Sequence, residues 1–299
     1  MIRLLASVSA AALLLAACAP EAADTSAPAD PAVETASAEA AAPQAPEGFE
    51  LSVTRETDAY TFTAEIDPAI LAFDPPLAWR LWTHANDQLT QLASDAEEGR
   101  RMADEDAAET GNTSWFMGYT LDITHKATLV LEDVISVSDF VGTYTGGAHP
   151  NYFLAGGVYR KGEEASLPLS AFITDETAFT DLVIKALIEA RIARGNEPPE
   201  MADAEAGLRE LLAPTAEVPD IFAGRFMLAA STEAGKAGGI TVVYSPYEIG
   251  SYAEGSYEVT VPADALAPIL TESWASRFGG LPLVAEEEAP AGETATEVP

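Results

Sequence analysis

The stretch that decides the fold covers residues 115–141 and has the sequence WFMGYTLDITHKATLVLEDVISVSDFV. Apolar side chains alternate with polar ones at Tyr119, Leu121 and Ile123, and His125 falls on the apolar side of the same pattern. Because successive side chains of a strand point to opposite faces of a sheet, a period of two predicts half-buried strands. The stretch therefore predicts a strand-rich centre for the molecule.

Patterns on both sides of this stretch extend the prediction to the whole fold. Strands are predicted where apolar residues alternate, at residues 49–53, 60–66, 151–160, 222–230, 239–244 and 257–261. Helices are predicted where apolar stripes or helix-start signals occur, at residues 75–96, 174–194, 204–212 and 266–278. Strands in clusters with helices between the clusters predict an α+β fold, in which helices pack on a mainly antiparallel sheet.

The N-terminal residues have the composition of an export signal. Arg3 precedes an apolar run of small residues over 4–15, which is too short to span a membrane. The sequence LAAC at 15–18 resembles the lipobox of bacterial lipoproteins, in which the cysteine becomes the first mature residue and carries the lipid. We therefore predict a lipoprotein signal peptide over residues 1–17 and lipidation, with palmitate among the acyl chains, at Cys18. The alternative is a plain secreted protein whose cysteine is unmodified.

Low-complexity segments flank the central body of the chain. Residues 18–46 consist mainly of Ala, Pro and acidic residues without aromatic side chains, and they predict a disordered tether because they cannot bury enough apolar surface. Residues 284–299 predict a similar acidic tail. The body between them, residues 47–283, is long enough for one large domain or two small ones.

The formal net charge of −33 restricts the classes of partner. Such a surface repels nucleic acid and anionic lipid, and it attracts basic proteins and cations. The alternative is that the charge serves solubility alone. Cys18 is the only cysteine, so the fold has no intramolecular disulfide and depends on a hydrophobic core.

Sequence motifs of known catalytic chemistry are absent. The chain has no G-x-S-x-G elbow, no H-E-x-x-H, no P-loop and no dinucleotide fingerprint, so we predict no catalytic residue and no cofactor. Its three histidines, His84, His125 and His149, would suit zinc, but their spacing puts no two on one face of one element. We therefore predict no metal site. Residues 104–112, DEDAAETGN, predict a polar loop. Asp104, Asp106 and Glu109 could bind calcium, but the spacing of an EF-hand is missing, so the expectation is a solvated acidic loop.

Two loops hold the remaining candidates for function. In YTGGAHPN, residues 144–151, paired glycines permit positive φ and proline favours extended backbone before it, which predicts a tight turn between strands. In SPYEIGSYAEGSYEVTVP, residues 245–262, tyrosines recur every five residues, which predicts an ordered loop that enters a strand. Tyrosines on loops form contact surfaces, but they equally fill small cores. The candidate ligand-binding residues are Tyr144, Gly146, Gly147, His149, Asn151, Tyr247, Glu248, Tyr252 and Tyr257.

Together the two loop motifs resemble the paired signatures of a bacterial extracytoplasmic domain family, the RsiV-like and PdaC-like domains of the DUF3298 and DUF4163 type. The resemblance implies an α+β binding or sensing module at the cell envelope, with a PdaC-like part over residues 47–145 and an RsiV-like part over residues 146–283. It does not imply deacetylase activity, which lies in a separate domain of PdaC-like proteins. The anti-sigma role of RsiV needs a cytoplasmic segment, so it is not implied either.

These observations predict a lipid-anchored periplasmic module that binds a protein or cell-wall ligand and is not an enzyme. Its expected partners are the membrane, through the lipid, and a cell-wall component or a basic protein such as lysozyme. Ala19, the residue after Cys18, favours the outer membrane over the inner one, by resemblance to the Gram-negative sorting pattern. The alternatives are a lysozyme inhibitor, an accessory to a peptidoglycan-modifying hydrolase or deacetylase, and a structural envelope lipoprotein.

Overall fold

A computed structural model describes residues 44–196 and 201–283 of the chain. The predicted signal peptide, Cys18, nearly all of the tether and the acidic tail lie outside these described residues. Within the described residues, no helix is both long enough and apolar enough to cross a membrane.

A five-stranded sheet forms the first half of the described chain, and its strands lie in sequence order. The strands are β1 (Ser52–Glu56), β2 (Tyr60–Ile66), β3 (Tyr119–Val130), β4 (Val134–Tyr144) and β5 (Asn151–Arg160). Neighbouring strands are antiparallel except β2 and β3, which are parallel. The parallel pair follows from a helical crossover, because parallel neighbours cannot be joined by a tight turn.

The crossover consists of α1 (Pro68–Phe73) and α2 (Pro75–Thr110), which cover one face of this sheet. Both helices begin at a proline, a residue suited to the first helical turn. Apolar residues of α2 pack against inward-facing strand residues, which include Phe62 and Leu121. Burial of these alternating side chains fixes the strand register, because a slip of one residue would turn each of them to solvent.

The predicted acidic loop at residues 104–112 is wrong, because α2 continues through it to Thr110. Ala103 is buried, Arg101 pairs with Glu105 one turn on, and the sequence has no glycine or proline between Ala103 and Gly111. Gly111 ends the helix in the left-handed conformation with φ +72°. Acidic composition alone therefore suggested a loop where local helix-forming residues continued the helix.

A second sheet of three antiparallel strands contains β6 (Phe226–Ala230), β7 (Ala237–Tyr244) and β8 (Tyr257–Pro262). The amphipathic helix α3 (Glu176–Ala193) packs on it through buried residues such as Phe179 and Leu187, in one core with the strands. Helix α4 (Met201–Leu211) follows α3 in the chain.

The predicted closing helix over residues 266–278 is wrong. The structure has two single-turn helices there, α5 (Ala263–Leu266) and α6 (Glu272–Ala275). The apolar residues that suggested one helix, such as Leu266, Trp274 and Phe278, are buried in the common core from separate turns. Their spacing therefore reflects burial rather than a continuous helical face.

The α+β class with mainly antiparallel sheet is confirmed. The suggested boundary between residues 145 and 146 lies in the turn that joins β4 to β5, and both of these strands belong to the five-stranded sheet. Predictions of β1, β2, β7, β8 and α3 agree with the observed bounds to within a few residues. Gly195, the predicted stop of α3, has φ +78°.

Candidate functional site

The two candidate loops meet in space and form one aromatic cluster. The hairpin turn of residues 145–150 joins β4 to β5, and the loop of residues 245–256 joins β7 to β8. The ring of His149 stacks on the ring of Tyr252, with 3.9 Å between centroids and 22° between planes. The ring of Tyr247 lies 5.5 Å from that of Tyr252. We call His149, Tyr247 and Tyr252 the aromatic cluster.

Hydrogen bonds tie the hairpin turn to this cluster. The Tyr252 hydroxyl donates to the carbonyl of Pro150 at 2.7 Å, and Nδ1 of His149 lies 2.9 Å from the same carbonyl. The Tyr144 hydroxyl donates to the carbonyl of Gly147 at 3.2 Å. Gly147 has φ +108°, a conformation that glycine adopts without strain and that other residues avoid. The turn is therefore the tight turn that its sequence predicts.

Tyr247 is the exposed member of the cluster and has an unusual backbone. Its φ of +73° is the one positive value at a non-glycine residue among the described residues, and the residue is 62% exposed. A bulky residue in the left-handed region costs about 1–3 kcal/mol, so surrounding contacts must hold it there.

Glu248 supplies those contacts from the neighbouring position. Its carboxylate accepts from the backbone amide of Ser245 at 2.6 Å and pairs with the guanidinium of Arg225 at 2.7 Å. The Ser245 hydroxyl accepts in turn from the amide of Leu154 on β5, at 3.0 Å. Glu248 is thus an anchor of the loop, and both of its carboxylate oxygens already have partners within the protein.

Glu254 anchors the other end of the same loop. Its carboxylate accepts from the Tyr257 hydroxyl at 2.7 Å and from the amide of Ser251 at 3.1 Å, and it pairs with Arg191 of α3 at 3.2 Å. Arg194, the C-cap residue directly after α3, donates to the carbonyl of Glu254 at 3.0 Å. These contacts fasten the loop to the helix that lies beneath it.

The ionisation of this network follows from its geometry. Burial would raise the pKa of Glu254, but the hydrogen bonds from Tyr257 and Ser251 and the charge of Arg191 together lower it below its usual range. Burial, and then the hydrogen bond to Glu254, raise the pKa of Tyr257. Tyr257 is fully buried, so it serves the core rather than a contact surface.

The structure therefore separates the candidate residues into two groups. His149, Tyr247 and Tyr252 come together at the surface, whereas Glu248 and Tyr257 fix the loop from inside. The remaining candidates shape or flank the turn; they are Tyr144, Gly146, Gly147 and the exposed Asn151 at the start of β5. A ligand-binding role for any of them stays a prediction.

Sequence reasoning missed the residues that hold the loop in place. Arg191, Arg194 and Arg225 lie far along the chain from it, and no local pattern connects them to it. Ser251 and Glu254 carried a readable signal, since a serine followed three residues later by glutamate is a capping box, and the structure has both of its hydrogen bonds.

The three histidines lie in three different environments. His84 is near Gln88 on α2, with 2.7 Å between side-chain nitrogens, and His149 belongs to the aromatic cluster. His125 is buried, and its Nδ1 lies 2.6 Å from the carboxylate of Asp139. Among the described residues, no group of three potential ligand side chains is placed to hold a metal.

The His125–Asp139 pair has the geometry of a base and its orienting carboxylate, yet it lies within the fold. His125 is 4% exposed, and its Nε2 is buried without a hydrogen-bond partner in the described structure. A catalytic base must reach the proton that it removes. In this conformation Nε2 does not reach solvent, so the pair acts here as a polar contact between β3 and β4.

Comparisons with known proteins support part of the resemblance seen in the sequence. Residues 183–264 match the family model of DUF3298, described as a protein family of unknown function. The match includes β6, β7, β8 and the loop of residues 245–256, whereas the hairpin turn lies outside it. The DUF3298 part of the resemblance is thus confirmed, and the DUF4163, RsiV-like and PdaC-like parts stay predictions.

Two solved structures are among those similar to this chain, and the first of them supports a shared fold. A DUF3298 family member from Bacteroides fragilis NCTC 9343 has a TM-score of 0.50 and 18% identity, covering 74% of this chain and 92% of that chain. A DUF3298 family protein from Pseudomonas aeruginosa PAO1 has a TM-score of 0.45 and 16% identity, covering 78% and 95%. A search of curated proteins found no similar sequence.

Proposed function

We propose that this DUF3298-containing chain is a non-enzymatic binding module of the cell envelope that contacts a basic protein, such as lysozyme, through the aromatic cluster. The cluster joins two loops that are about a hundred residues apart in the sequence. One of its members, Tyr247, projects into solvent from a strained backbone that the contacts of the neighbouring Glu248 hold in place.

The strained backbone at Tyr247 is the observation that carries this proposal. Strain of this kind persists only where neighbouring contacts over-determine the conformation, and it concentrates at functional sites. Here the contacts of Glu248 hold the conformation, and its outcome is an exposed aromatic ring beside Tyr252. Exposed tyrosines are typical anchors of protein interfaces.

Charge supports a basic partner. The chain has 48 acidic residues against 15 basic ones, which steers basic proteins toward it and speeds their association. The charge alone gives only salt-sensitive attraction, so specificity must come from the packed contact at the aromatic cluster.

The proposed location depends on the N-terminal sequence. Lipidation at Cys18 would anchor the protein to a membrane, and the acidic, proline-rich residues that follow would let the folded body reach a partner at a distance. Because the residue after Cys18 is Ala19, we propose that the anchor lies in the outer membrane and the folded body in the periplasm.

The proposal is tested by calorimetric titration of the full chain with lysozyme at low and at physiological salt. A second basic protein of similar size and charge is the control partner. We expect lysozyme binding to persist at physiological salt, and the Tyr247→Ala variant to bind at least about tenfold more weakly. Phe153→Ala is the matched control variant, because Phe153 is 57% exposed and lies outside both loops.

Two results would contradict the proposal. The first is equal affinity for both basic proteins that is lost at physiological salt, which would show that the interaction is only diffuse electrostatic attraction. The second is unchanged affinity of Tyr247→Ala for lysozyme, which would remove the cluster from the interface.

A further inference from the structure

The five-stranded sheet has a second face that the helices do not cover. Side chains such as Phe62, Leu121 and Ile123 face the helices, so their sequence neighbours face the other side. Strand β6 covers one end of that other side: the amide of Leu228 donates to the Ser136 hydroxyl at 2.7 Å, and the Thr128 hydroxyl donates to the Leu228 carbonyl at 3.0 Å. The loop of residues 245–256 contacts the β5 edge of that side, where the amide of Ser256 donates to the Tyr152 hydroxyl at 3.1 Å. The remainder is exposed at Thr54, Glu65 and Asp122, and we call this part of the sheet, with its neighbours up to Phe140 and Tyr152, the open face.

One position on each strand forms a row across the open face. The strand registers place side by side Thr54, Thr63, Asp122, Gly142 and Tyr152. The Thr63 hydroxyl donates to the Asp122 carboxylate, and Asp122 is exposed. The row crosses four strand spacings, or about 19 Å. It presents hydroxyl and carboxylate groups at Thr54, Thr63 and Asp122, whereas the hydroxyl of Tyr152, at the far end of the row, accepts from the amide of Ser256 at 3.1 Å.

Phe140 places an aromatic ring in the middle of this row. A Cβ at Gly142 would lie 3.0 Å from Cε1 of Phe140, so the ring folds down along the sheet over the glycine. The ring is nearly parallel to that of Tyr152, with 5.8 Å between centroids and 24° between planes. Phe140 remains 36% exposed, which leaves an aromatic surface with polar groups beside it.

These features fit the chemistry of a sugar chain. One side of a hexose ring is lined by C–H groups, which pack well on an aromatic face because the face carries partial negative charge. The hydroxyl groups at the rim of the hexose need donors and acceptors to the side, as threonine and aspartate provide. A hexose unit of an extended chain is about as long as the strand spacing of about 4.8 Å, so the row suits about four units.

Charge narrows the class of occupant. The open face carries three carboxylates, Glu56, Glu65 and Asp122, against the single ammonium of Lys126. A polyanionic chain would be repelled. Residues 19–46 of this protein, with five acidic residues, no basic residue and no aromatic, are equally unsuited to the face.

We infer that the open face is a binding site for a neutral or amine-bearing glycan chain that runs across the strands over Phe140. This site does not include the rings of the aromatic cluster, although Tyr152 at its edge is bonded to Ser256 of the loop of residues 245–256, and it goes beyond the protein contact proposed above. A peptide is the poorer occupant, since an extended peptide pairs with the edge of a sheet rather than crossing its face.

The test is titration of the full chain with soluble tetrasaccharides, followed by nuclear magnetic resonance and calorimetry. The probes are a tetramer of β-1,4-linked N-acetylglucosamine, the corresponding glucosamine tetramer and an oligouronate of equal length. We expect both of the first two to bind and the oligouronate not to bind. Phe140→Ala should bind the neutral tetramer about tenfold more weakly, because an aromatic contact is lost.

Phe153→Ala is the matched control, because Phe153 is on the same hairpin but pairs with Val141 on the helix-covered side. We expect it to bind as the unaltered chain does. Asp122→Asn keeps the shape of the face, and it should weaken binding of the glucosamine tetramer more than binding of the neutral one. Thermal unfolding of each variant checks that the fold is intact.

The inference is overturned if neither of the first two tetramers binds at millimolar concentration, or if Phe140→Ala and Phe153→Ala reduce binding equally. It is also overturned if Phe140→Ala weakens lysozyme binding and leaves glycan binding unchanged, which would make the face part of a protein contact. Loss of lysozyme binding by Tyr247→Ala with glycan binding intact would support two separate sites.

Discussion

The two loops of the aromatic cluster are held in very different ways. The loop of residues 245–256 is fastened at both ends by carboxylates, Glu248 to Arg225 and Glu254 to Arg191. The hairpin turn of residues 145–150 depends on its glycines and on hydrogen bonds from tyrosine hydroxyls. One loop is built into the core beneath it, whereas the other rests on the first through ring stacking.

Because they are held differently, the two loops are expected to contribute differently to partner binding. An anchored aromatic residue loses little conformational entropy when a partner binds, which favours affinity. A turn with few buried contacts opens at low energetic cost, so it can adapt to the surface of a partner. We therefore regard Tyr247 and Tyr252 as the rigid part of the surface and His149 as the adaptable part.

Substitution of Glu254 should give the largest effect, because it removes the charge at the centre of the anchored loop. We expect Glu254→Gln to destabilise the protein by about 2 kcal/mol, the range for hydrogen bonds to a charged group, as measured by chemical denaturation at neutral pH. Glu205→Gln, at an exposed position of α4, is the control and should change little.

The same variant has a defined pH dependence. The pKa of Glu254 is lowered in the folded state, so its contribution to stability is present above its ordinary value of 4.5 and is lost as pH falls through the lowered pKa. The stability difference between Glu254→Gln and the unaltered chain should therefore shrink below pH 4.5. A difference that stayed constant into strong acid would show that the charge of Glu254 does not anchor the loop.

A smaller effect is expected in the hairpin turn. Gly147→Ala places a side chain at φ +108°, and we expect a loss of about 1 kcal/mol, limited by local rearrangement of the turn. Ala148→Gly, at the next exposed position, serves as the comparison in the same denaturation experiment. If Gly147→Ala cost more than Glu254→Gln, the assignment of a rigid and an adaptable loop would be reversed.

Sequence patterns were sufficient where the decisive contacts were local. Alternation identified the strands around Ile123, and the paired glycines with His149 and Pro150 identified the hairpin turn. They failed where burial or distant partners decided the outcome. The apolar residues from Leu266 to Phe278 reach one core from separate turns, and acidic residues after Ala103 continue a helix.

The candidate surface was predictable only in part for the same reason. Tyrosines at regular intervals in a loop suggested contacts but did not distinguish the exposed Tyr247 from the buried Tyr257. That distinction depends on Arg191, in the last turn of α3, and on Arg194, directly after that helix. The stacking of His149 on Tyr252 likewise depends on how the two sheets bring their loops together.

Hydrogen exchange of the full chain, with and without lysozyme at physiological salt, tests the central claim most directly. We expect lysozyme to slow exchange in residues 144–151 and 245–257, with the larger change in the hairpin turn because the anchored loop is already ordered. Slowed exchange confined to other parts of the chain, or the same pattern with a different basic protein, would contradict the assignment of the aromatic cluster as a specific contact surface.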